Sequence, residues 1–187
     1  MSKLLERIVF RQLYDYLSRT DLLLSLQSAY RSHHYTETAV LKVLTDILYA
    51  VDDGDLSNLA LLDLSAAFDT VDHDIFLTRL RVSYGVGDAA LDWLQSYLSH
   101  RVECVKRGSD WSTLATVWFG VPQGSVLGPL LFILYTAGLI DLIEGHGLRP
   151  HLYADDTLIQ GSCHPGSVAQ LQSTLSTCLD DVSFRTG

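Results

Sequence analysis

Two adjacent carboxylates inside an apolar, strand-like stretch constrain this chain more than any other feature of its sequence. In HLYADDTLIQ, residues 151 to 160, apolar residues precede and follow Asp155 and Asp156. A strand interior tolerates ionised aspartate poorly, and burying a carboxylate without a partner is costly. Because aspartate favours tight turns, the pair is predicted at the tip of a hairpin between two short strands.

A third carboxylate closes another apolar run. Asp63 lies near the end of NLALLDL, residues 58 to 64, which has the length of a strand. Since this run is apolar on both faces, it predicts a central strand that is buried on both sides. If two such strands end in aspartate at the same edge of a sheet, their oxygens suit Mg²⁺, which keeps waters and takes phosphate oxygens from a substrate. Two ions held in this way can activate a hydroxyl and stabilise a leaving pyrophosphate.

A plainer interpretation of the same residues stays open. An aspartate pair at a turn is most often only a turn, and Asp69, Asp72 and Asp74 can be solvated charges or helix caps. Spacing alone does not decide between a metal site and these structural roles.

The stretch GVPQGSVLGP, residues 120 to 129, combines three glycines with an amide side chain, Gln123. Glycine lets the backbone approach another group closely, and the N-terminus of a helix attracts anions. These properties suit a phosphate-bearing ligand, and a Gly/Pro-rich start of a helix is the alternative. No G-K-[ST] follows, which excludes a Walker A loop.

The order of the predicted elements indicates an α+β fold. Helical spacing of apolar residues begins near Leu5 and again near Val40, and a last helical pattern runs from about Val168 to Val182. Between them we expect helices capped by Asp72 or Asp74 and by Asp88, a β-hairpin around Gly108-Ser109-Asp110, and a helix with Pro129 in its first turn. This order predicts an antiparallel sheet with helices packed on one face.

Charge and composition narrow the possible classes of protein. The net charge is −9: residues 1–50 hold six Lys/Arg against five Asp/Glu, and residues 51–187 hold seven against seventeen. Nucleic-acid binders usually carry a basic surface, which the chain as a whole lacks. The three cysteines form no C-x-x-C pair, the N-terminus does not resemble a secretory signal, and the longest apolar run is interrupted by Gly128-Pro129. We therefore expect an intracellular protein of the nucleus or cytoplasm, with no transmembrane segment.

Taken together, these segments resemble the reverse transcriptase domain of non-LTR (LINE-type) retrotransposons. LLDLSAAFDTVDH, residues 61 to 73, resembles motif A of that family, and GVPQGSVLGPLLFILYT, residues 120 to 136, resembles motif B. HLYADDTLI, residues 151 to 159, resembles the YxDD motif C. The resemblance covers most of residues 3 to 182, with the motifs in the family's order. It implies a right-hand polymerase fold, with a fingers-like helical part over about 1–57 and a palm with an inserted hairpin over about 58–187.

The resemblance also implies roles for individual residues. Asp63, Asp155 and Asp156 would be the catalytic carboxylates and, with the Leu64 carbonyl, would hold two Mg²⁺ ions, for which Mn²⁺ could substitute. Phe68 would be the steric gate that rejects the ribose 2′-hydroxyl. Gln123 and Gly124 would line the incoming nucleotide and template, and Arg31 would reach the triphosphate. The implied partners are an RNA template, a DNA primer and a dNTP.

The end of the chain departs from the family's pattern. After CLDDV, residues 178 to 182, the family usually continues with a tryptophan-containing stretch, a lysine segment and the thumb, whereas SFRTG ends this chain. We therefore expect a partial domain without a thumb or endonuclease, which would hold a template weakly because phosphate contacts supply most non-specific affinity. The alternative is a catalytically inactive remnant of a mobile element that acts at most as a binding module.

Overall fold

The structure is a computed structural model, and it describes residues 3–22, 36–63 and 67–186. Within these ranges the helices are α1 (Lys3–Arg19), α2 (Thr36–Asp52), α3 (His73–Val82), α4 (Asp88–Leu98), α5 (Gly128–Thr136), α6 (Gly138–Gly145) and α7 (Val168–Thr186). The strands are β1 (Leu56–Asp63), β2 (Arg101–Glu103), β3 (Lys106–Arg107), β4 (Asp110–Trp111), β5 (Ala115–Val117), β6 (Arg149–Tyr153) and β7 (Asp156–Cys163). Short 3₁₀ turns occupy Ala67–Asp69 and Pro165–Ser167.

The chain divides into two compact units. The first unit comprises Met1–Leu22 and Ala66–Tyr135, and the second comprises Leu23–Ser65 and Thr136–Gly187.

The second unit is built on an antiparallel three-stranded sheet with the strand order β1-β7-β6. The register places Leu56 opposite Cys163 at one end of the β1–β7 pair and Asp63 opposite Asp156 at the other. A two-residue turn, Ala154-Asp155, joins β6 to β7, because Tyr153 lies opposite Asp156. The predicted antiparallel sheet and hairpin are therefore confirmed, but only Asp155 lies in the turn, since Asp156 is the first residue of β7.

Helices pack on both faces of this sheet. Ala60, Leu62 and Ile159 contact the core cluster that α6 and α7 contribute to. His151 lies opposite Leu158, on the other face, and its Nε2 atom is 3.3 Å from Asp46 of α2. The expectation of helices on one face only was therefore wrong, because Ile159 and His151 lie on opposite faces of the sheet and each meets a helix.

β1 is an edge strand, not the central strand predicted from its apolar sequence. In the described residues it pairs with β7 alone, and β7 occupies the centre of the sheet. The Leu61 side chain is 75% exposed, so β1 is not buried on both sides. The apolar run of β1 does not encode which neighbour the strand has, since that depends on distant segments.

The core of the second unit lies between the sheet and the last helix. Its buried residues share apolar side chains that meet from α6, α7 and the strands: Leu139, Ile143, Leu148, Ile159, Leu175, Cys178 and Val182. Gly161 lies so close to Leu148 and Leu171 that an added Cβ would come within 2.8 and 2.6 Å of their methyl carbons. The sheet and α7 therefore approach closely at this glycine.

A cluster of charges joins α2 to β6. Asp46 of α2 lies 3.5 Å from the Lys42 ammonium, 3.8 Å from the Arg149 guanidinium and 3.3 Å from His151 Nε2. Burial lowers the pKa of His151 below its usual value, the Asp46 carboxylate opposes that shift, and Lys42 and Arg149 reinforce it. Folding therefore shifts the His151 imidazole towards its neutral form.

Because the folded pKa of His151 is depressed, its contribution to stability is present above the unfolded pKa and is lost as pH falls through the folded pKa. We expect the free energy of unfolding to fall on acidification below the usual histidine range, and His151→Asn to reduce that dependence. Urea denaturation of both proteins at several pH values from 4.5 to 8 measures the free energy of unfolding. The expected difference between them is on the order of tenths of a kcal/mol. His164→Asn, at an exposed histidine, is the control, and an equal effect of both variants would contradict the assignment.

The first unit begins with α1, whose buried face differs from the one that its apolar pattern predicts. Leu13 and Leu17 are buried as expected, but Leu5 and Ile8 are exposed, and the buried residue of the first turn is Glu6. Further along, Tyr16 donates a hydrogen bond to the carbonyl of Tyr84 at 2.8 Å. The helix therefore uses a polar residue where an apolar one was expected.

Local signals predict the middle of the first unit well. Asp72 caps α3 by accepting a hydrogen bond from the Ile75 amide at 2.9 Å. Asp88 was expected to cap α4, but that helix is capped by Gly87 without a side-chain hydrogen bond. The predicted hairpin is confirmed as two nested pairs, β3 with β4 and β2 with β5.

A loop after β5 is joined by backbone hydrogen bonds to the 3₁₀ turn Ala67–Asp69 and to Val71 just after it. The Gly120 amide donates to the Val71 carbonyl at 2.8 Å, and the Val121 amide donates to the Phe68 carbonyl at 2.7 Å. Gly120 has a φ of 84°, and a Cβ there would lie 2.8 Å from the Asp69 Cα and the Phe68 oxygen. Only glycine satisfies both the conformation and the close approach.

Substituting this glycine should destabilise the fold more than substituting a neighbouring one. Gly124 also has a positive φ, of 71°, but nothing lies within 4 Å of an added Cβ. Gly124→Ala should therefore cost about 1–2 kcal/mol of left-handed strain, and Gly120→Ala about 1–3 kcal/mol more because the new methyl overlaps backbone. Chemical denaturation of the two variants measures the difference, and equal losses would contradict the packing described here.

One helical stretch in the described ranges, Gly128–Gly145, is long and apolar enough to cross a membrane by length and composition alone. This stretch is 56% buried inside the structure and is divided between α5 and α6. A core helix of a protein outside the membrane meets the same criteria, so the stretch is weak evidence for a membrane span.

Candidate active site

The strand register brings two of the predicted carboxylates together. Asp63, the last residue of β1, lies directly opposite Asp156, the first residue of β7. Side chains at directly opposed positions share a face, with about 4.5–5.5 Å between their Cβ atoms. Asp155 occupies the adjoining turn and is half-buried, whereas Asp63 and Asp156 are exposed. The register thus pairs Asp63 with the second aspartate of the doublet.

A row of three residues crosses the sheet at this end. Tyr153 of β6, Asp156 of β7 and Asp63 of β1 occupy opposed positions in successive strands. The same face carries the exposed Leu61 two residues before Asp63. The carboxylates therefore lie at an open, solvent-facing end of the sheet.

The turn beside these carboxylates has an unusual backbone. Ala154 adopts a φ of 55°, in the left-handed region that glycine normally occupies. A residue held there carries local strain of about 1–3 kcal/mol that the surrounding structure offsets. The two paired strands therefore hold the turn, and with it Asp155, in a defined position.

The donor set at this site suits a divalent cation. Two like charges placed directly opposite each other repel, and a cation between them removes that repulsion. Carboxylate oxygens are the ligands of Mg²⁺, which needs only one or two of them when water and substrate phosphates complete its shell. Over residues 3–22, 36–63 and 67–186, no three or more His, Cys, Asp or Glu side chains are grouped so that they could hold a metal ion, and this includes the three predicted aspartates. The arrangement fits an open site, and the proposed Leu64 ligand lies outside the described residues.

Phe68 lies in the first unit, where neighbouring elements hold it. Its ring stacks on the Phe132 ring of α5, with 4.7 Å between the ring centroids and 28° between the planes. Its carbonyl accepts the 2.7 Å hydrogen bond from the Val121 amide. The structure thus joins Phe68 of the first predicted motif to the start of the glycine-containing second motif.

Gln123 and Gly124 are both exposed in the loop that precedes α5. Beyond them, Ser125 Oγ accepts a hydrogen bond from the Gly128 amide at 2.8 Å. A Cβ at Gly128 would lie 2.8 Å from the Pro122 oxygen, so the loop folds tightly onto the start of the helix. The predicted helix with Pro129 in its first turn is confirmed. Arg31, the remaining predicted site residue, lies outside the described residues.

Glu6 anchors this loop from α1 and was missed by sequence reasoning. Its side chain is 6% exposed, and its Oε2 atom accepts a 2.7 Å hydrogen bond from the Val126 amide. The signal was present in the helical spacing, because Glu6 precedes the buried Leu13 and Leu17 by seven and eleven residues and so shares their face. A charged residue on a buried face indicates a specific partner.

Tyr97 of α4 lies beside the same loop. Burial raises the pKa of Tyr97 above its usual value, the nearby Ser125 hydroxyl opposes that shift, and the negative charge of Glu6 adds to it. No described atom meets full hydrogen-bond geometry with the buried Tyr97 hydroxyl, although Ser125 and Glu6 are its neighbours. The loop before α5 therefore packs against two buried polar side chains, Glu6 and Tyr97.

Comparison with known proteins identifies the family. The sequence profile described as "Reverse transcriptase (RNA-dependent DNA polymerase)" matches residues 1–186. The chain is 33% identical to "Probable RNA-directed DNA polymerase from transposon BS" of Drosophila melanogaster over 95% of this chain and 20% of the relative. It is 34% identical to "Probable RNA-directed DNA polymerase from transposon X-element" of the same species over 73% of this chain and 15% of the relative.

A further relative is "RNA-directed DNA polymerase from mobile element jockey" of Drosophila funebris, 27% identical over 94% of this chain and 20% of the relative. The chain thus spans about a fifth or less of the length of these relatives. The resemblance to non-LTR retrotransposon domains that the three motifs predict is confirmed: the chain belongs to the reverse transcriptase (RNA-dependent DNA polymerase) family.

Proposed function

We propose that this chain provides the fingers and palm of an RNA-directed DNA polymerase, with Asp63, Asp155 and Asp156 as its catalytic carboxylates. The observation that supports this most strongly is the register that sets Asp63 opposite Asp156 beside the turn that holds Asp155. Membership of the reverse transcriptase family supports assigning polymerase chemistry to this arrangement.

In the proposed reaction, the primer 3′-hydroxyl attacks the α-phosphorus of a dNTP, an O–P bond forms, and the bond to the leaving pyrophosphate breaks. Two Mg²⁺ ions, or Mn²⁺ in their place, would activate the hydroxyl and stabilise the charge that develops on the phosphate oxygens. The part of this chain is to hold acceptor oxygens at one end of a sheet. Asp63 and Asp156 supply them from paired strands, Asp155 supplies them from the turn, and the Leu64 carbonyl adds a further ligand.

Phe68 is proposed as the steric gate against the ribose 2′-hydroxyl, the group that distinguishes RNA from DNA. The stacking of its ring on Phe132 supports this role, since a gate must keep its position when a ribonucleotide presses against it. Gln123 and Gly124 are proposed to line the incoming nucleotide and template, and their exposure leaves them accessible for contact. Arg31 is proposed to reach the triphosphate.

The proposed partners are an RNA template, a DNA primer and dNTPs, and the proposed location is the nucleus or cytoplasm. Because the net charge is −9, we expect the chain itself to hold a template weakly at physiological salt, where phosphate contacts supply most non-specific affinity. The division into fingers over about 1–57 and palm over about 58–187 is part of this proposal.

Primer extension on an RNA template with Mg²⁺ or Mn²⁺, at low salt, tests the proposal. Asp63→Asn and Asp155→Asn should each lower dNTP incorporation by more than the roughly 10–100-fold typical of losing a partner outside the metal's ligand shell. Asp92→Asn removes the charge of an exposed aspartate on α4 and is the matched control, expected to leave the rate unchanged.

The outcomes separate the roles. Equal incorporation by Asp155→Asn and the unsubstituted chain would remove Asp155 from the mechanism. No incorporation by the unsubstituted chain under these conditions would contradict autonomous polymerase activity and favour an inactive remnant.

A further inference from the structure

The carbonyl oxygen of Gly120 is a meeting point for two side chains from separate elements of the first unit. Arg101, the first residue of β2, donates from Nη1 at 2.9 Å. His73, the first residue of α3, lies with Nε2 at 2.8 Å. Since a carbonyl can only accept, the His73 imidazole must carry its proton on Nε2 here. We call Arg101, His73 and the Gly120 carbonyl the Gly120 clamp.

The Gly120 clamp holds a backbone that cannot easily shift. The Gly120 amide donates to Val71, the Val121 amide donates to Phe68, and Gly120 lies against the Phe68 and Asp69 backbone without room for a Cβ. An antiparallel β-bridge between Asp72 and Phe119 extends this backbone pairing by one residue on each segment. The loop and the segment that carries Phe68 are therefore joined along several consecutive residues.

The Gly120 clamp attaches the loop to two other elements, α3 through His73 and β2 through Arg101. The backbone pairing alone provides no such attachment. Hydrogen bonds from a charged donor are stronger than neutral ones, and the Arg101 side chain is half-buried, which limits competition from water. Through Val121, a displacement of the Gly120 carbonyl moves the Phe68 carbonyl, and with it the ring stacked on Phe132. Arg101 and His73 are thus linked to the Phe68 backbone through Gly120 and Val121.

We propose that Arg101 and His73 are positioning residues that, through the Gly120 carbonyl, fix Phe68 tightly enough to discriminate dNTPs from rNTPs. The inference rests on the proposed function, in which Phe68 is the gate. The physical reason is steric. A ring excludes the 2′-hydroxyl of an rNTP only if it cannot move aside, whereas a dNTP lacks this hydroxyl and binds whether or not the ring is fixed. Loosening the clamp should therefore admit ribonucleotides more than it impairs deoxynucleotides.

Amide hydrogen exchange, which does not depend on catalysis, tests whether the clamp holds the loop. Amide hydrogen exchange at Gly120 and Val121 should quicken by about tenfold in Arg101→Leu and in His73→Leu, because each loses one donor to the shared carbonyl. Arg107→Leu, at an exposed arginine of the adjoining hairpin, is the matched control and should leave these amides unchanged. Amides of β7 serve as an internal reference for global stability.

Primer extension with matched dNTP and rNTP substrates tests the consequence. Arg101→Leu and His73→Leu should lower the ratio of kcat/KM for dNTP to that for rNTP by roughly tenfold, since a lost clamp bond corresponds to such a factor. A merely structural role would lower both kcat/KM values alike and leave the ratio unchanged. His73→Gln, which keeps an N–H donor at the end of the side chain, should restore the ratio and guards against a leucine variant that fails to fold.

The outcomes distinguish the inference from the function on which it rests. Unchanged exchange at Gly120 and Val121 would overturn the clamp. Faster exchange with an unchanged ratio would overturn its role in discrimination while the polymerase stands. If the unsubstituted chain incorporates neither substrate, the proposed function fails and the role in discrimination fails with it, while the exchange measurement still decides the clamp.

Discussion

The pairing register of β1 with β7 is the constraint on which the rest of the account depends. Side chains alternate between the faces of a strand, so a slip of one residue would move Ile159 out of the core and turn Asp63 and Asp156 apart. Burial of Ile159 among apolar residues of α6 and α7 therefore stabilises the same register that places the carboxylates together. The apolar core therefore determines where the carboxylates lie, although none of its side chains is part of the site.

The first unit shows a second way of holding a functional loop, by polar anchors instead of apolar burial. Glu6 holds the Val126 amide and the Gly120 clamp holds the carbonyl at the other end of the loop, while Gln123 and Gly124 between them remain exposed. Fixing both ends leaves the middle free to meet a ligand. This is the arrangement expected of a binding loop carried on a rigid scaffold.

Much of this organisation could be predicted because the signals are local. A turn at the aspartate doublet, the cap at Asp72 and the start of a helix at Pro129 follow from the conformational preferences of single residues, and all were confirmed. The three motifs likewise identified the family, since order and spacing of several segments are far more specific than a doublet alone.

What could not be predicted depends on contacts between distant segments. The edge position of β1 and the helices on both faces of the sheet follow from which strands pair, and the leucines of β1 carry no such information. Glu6 and Arg101 resemble ordinary surface charges in the sequence and acquire their roles only when a loop more than fifteen residues away presents a backbone group to them. Arg31 and Leu64 lie outside the described residues, so their roles remain predictions.

Binding of Mn²⁺, followed by paramagnetic broadening of backbone amide signals, tests the central claim that paired carboxylates form a cation site. The account predicts strong broadening at Asp63 and Asp156, much weaker broadening at Leu56 and Cys163 at the other end of the same strand pair, and loss of the broadening in Asp63→Asn. Broadening that is uniform over the chain, or that persists unchanged in Asp63→Asn, would contradict it.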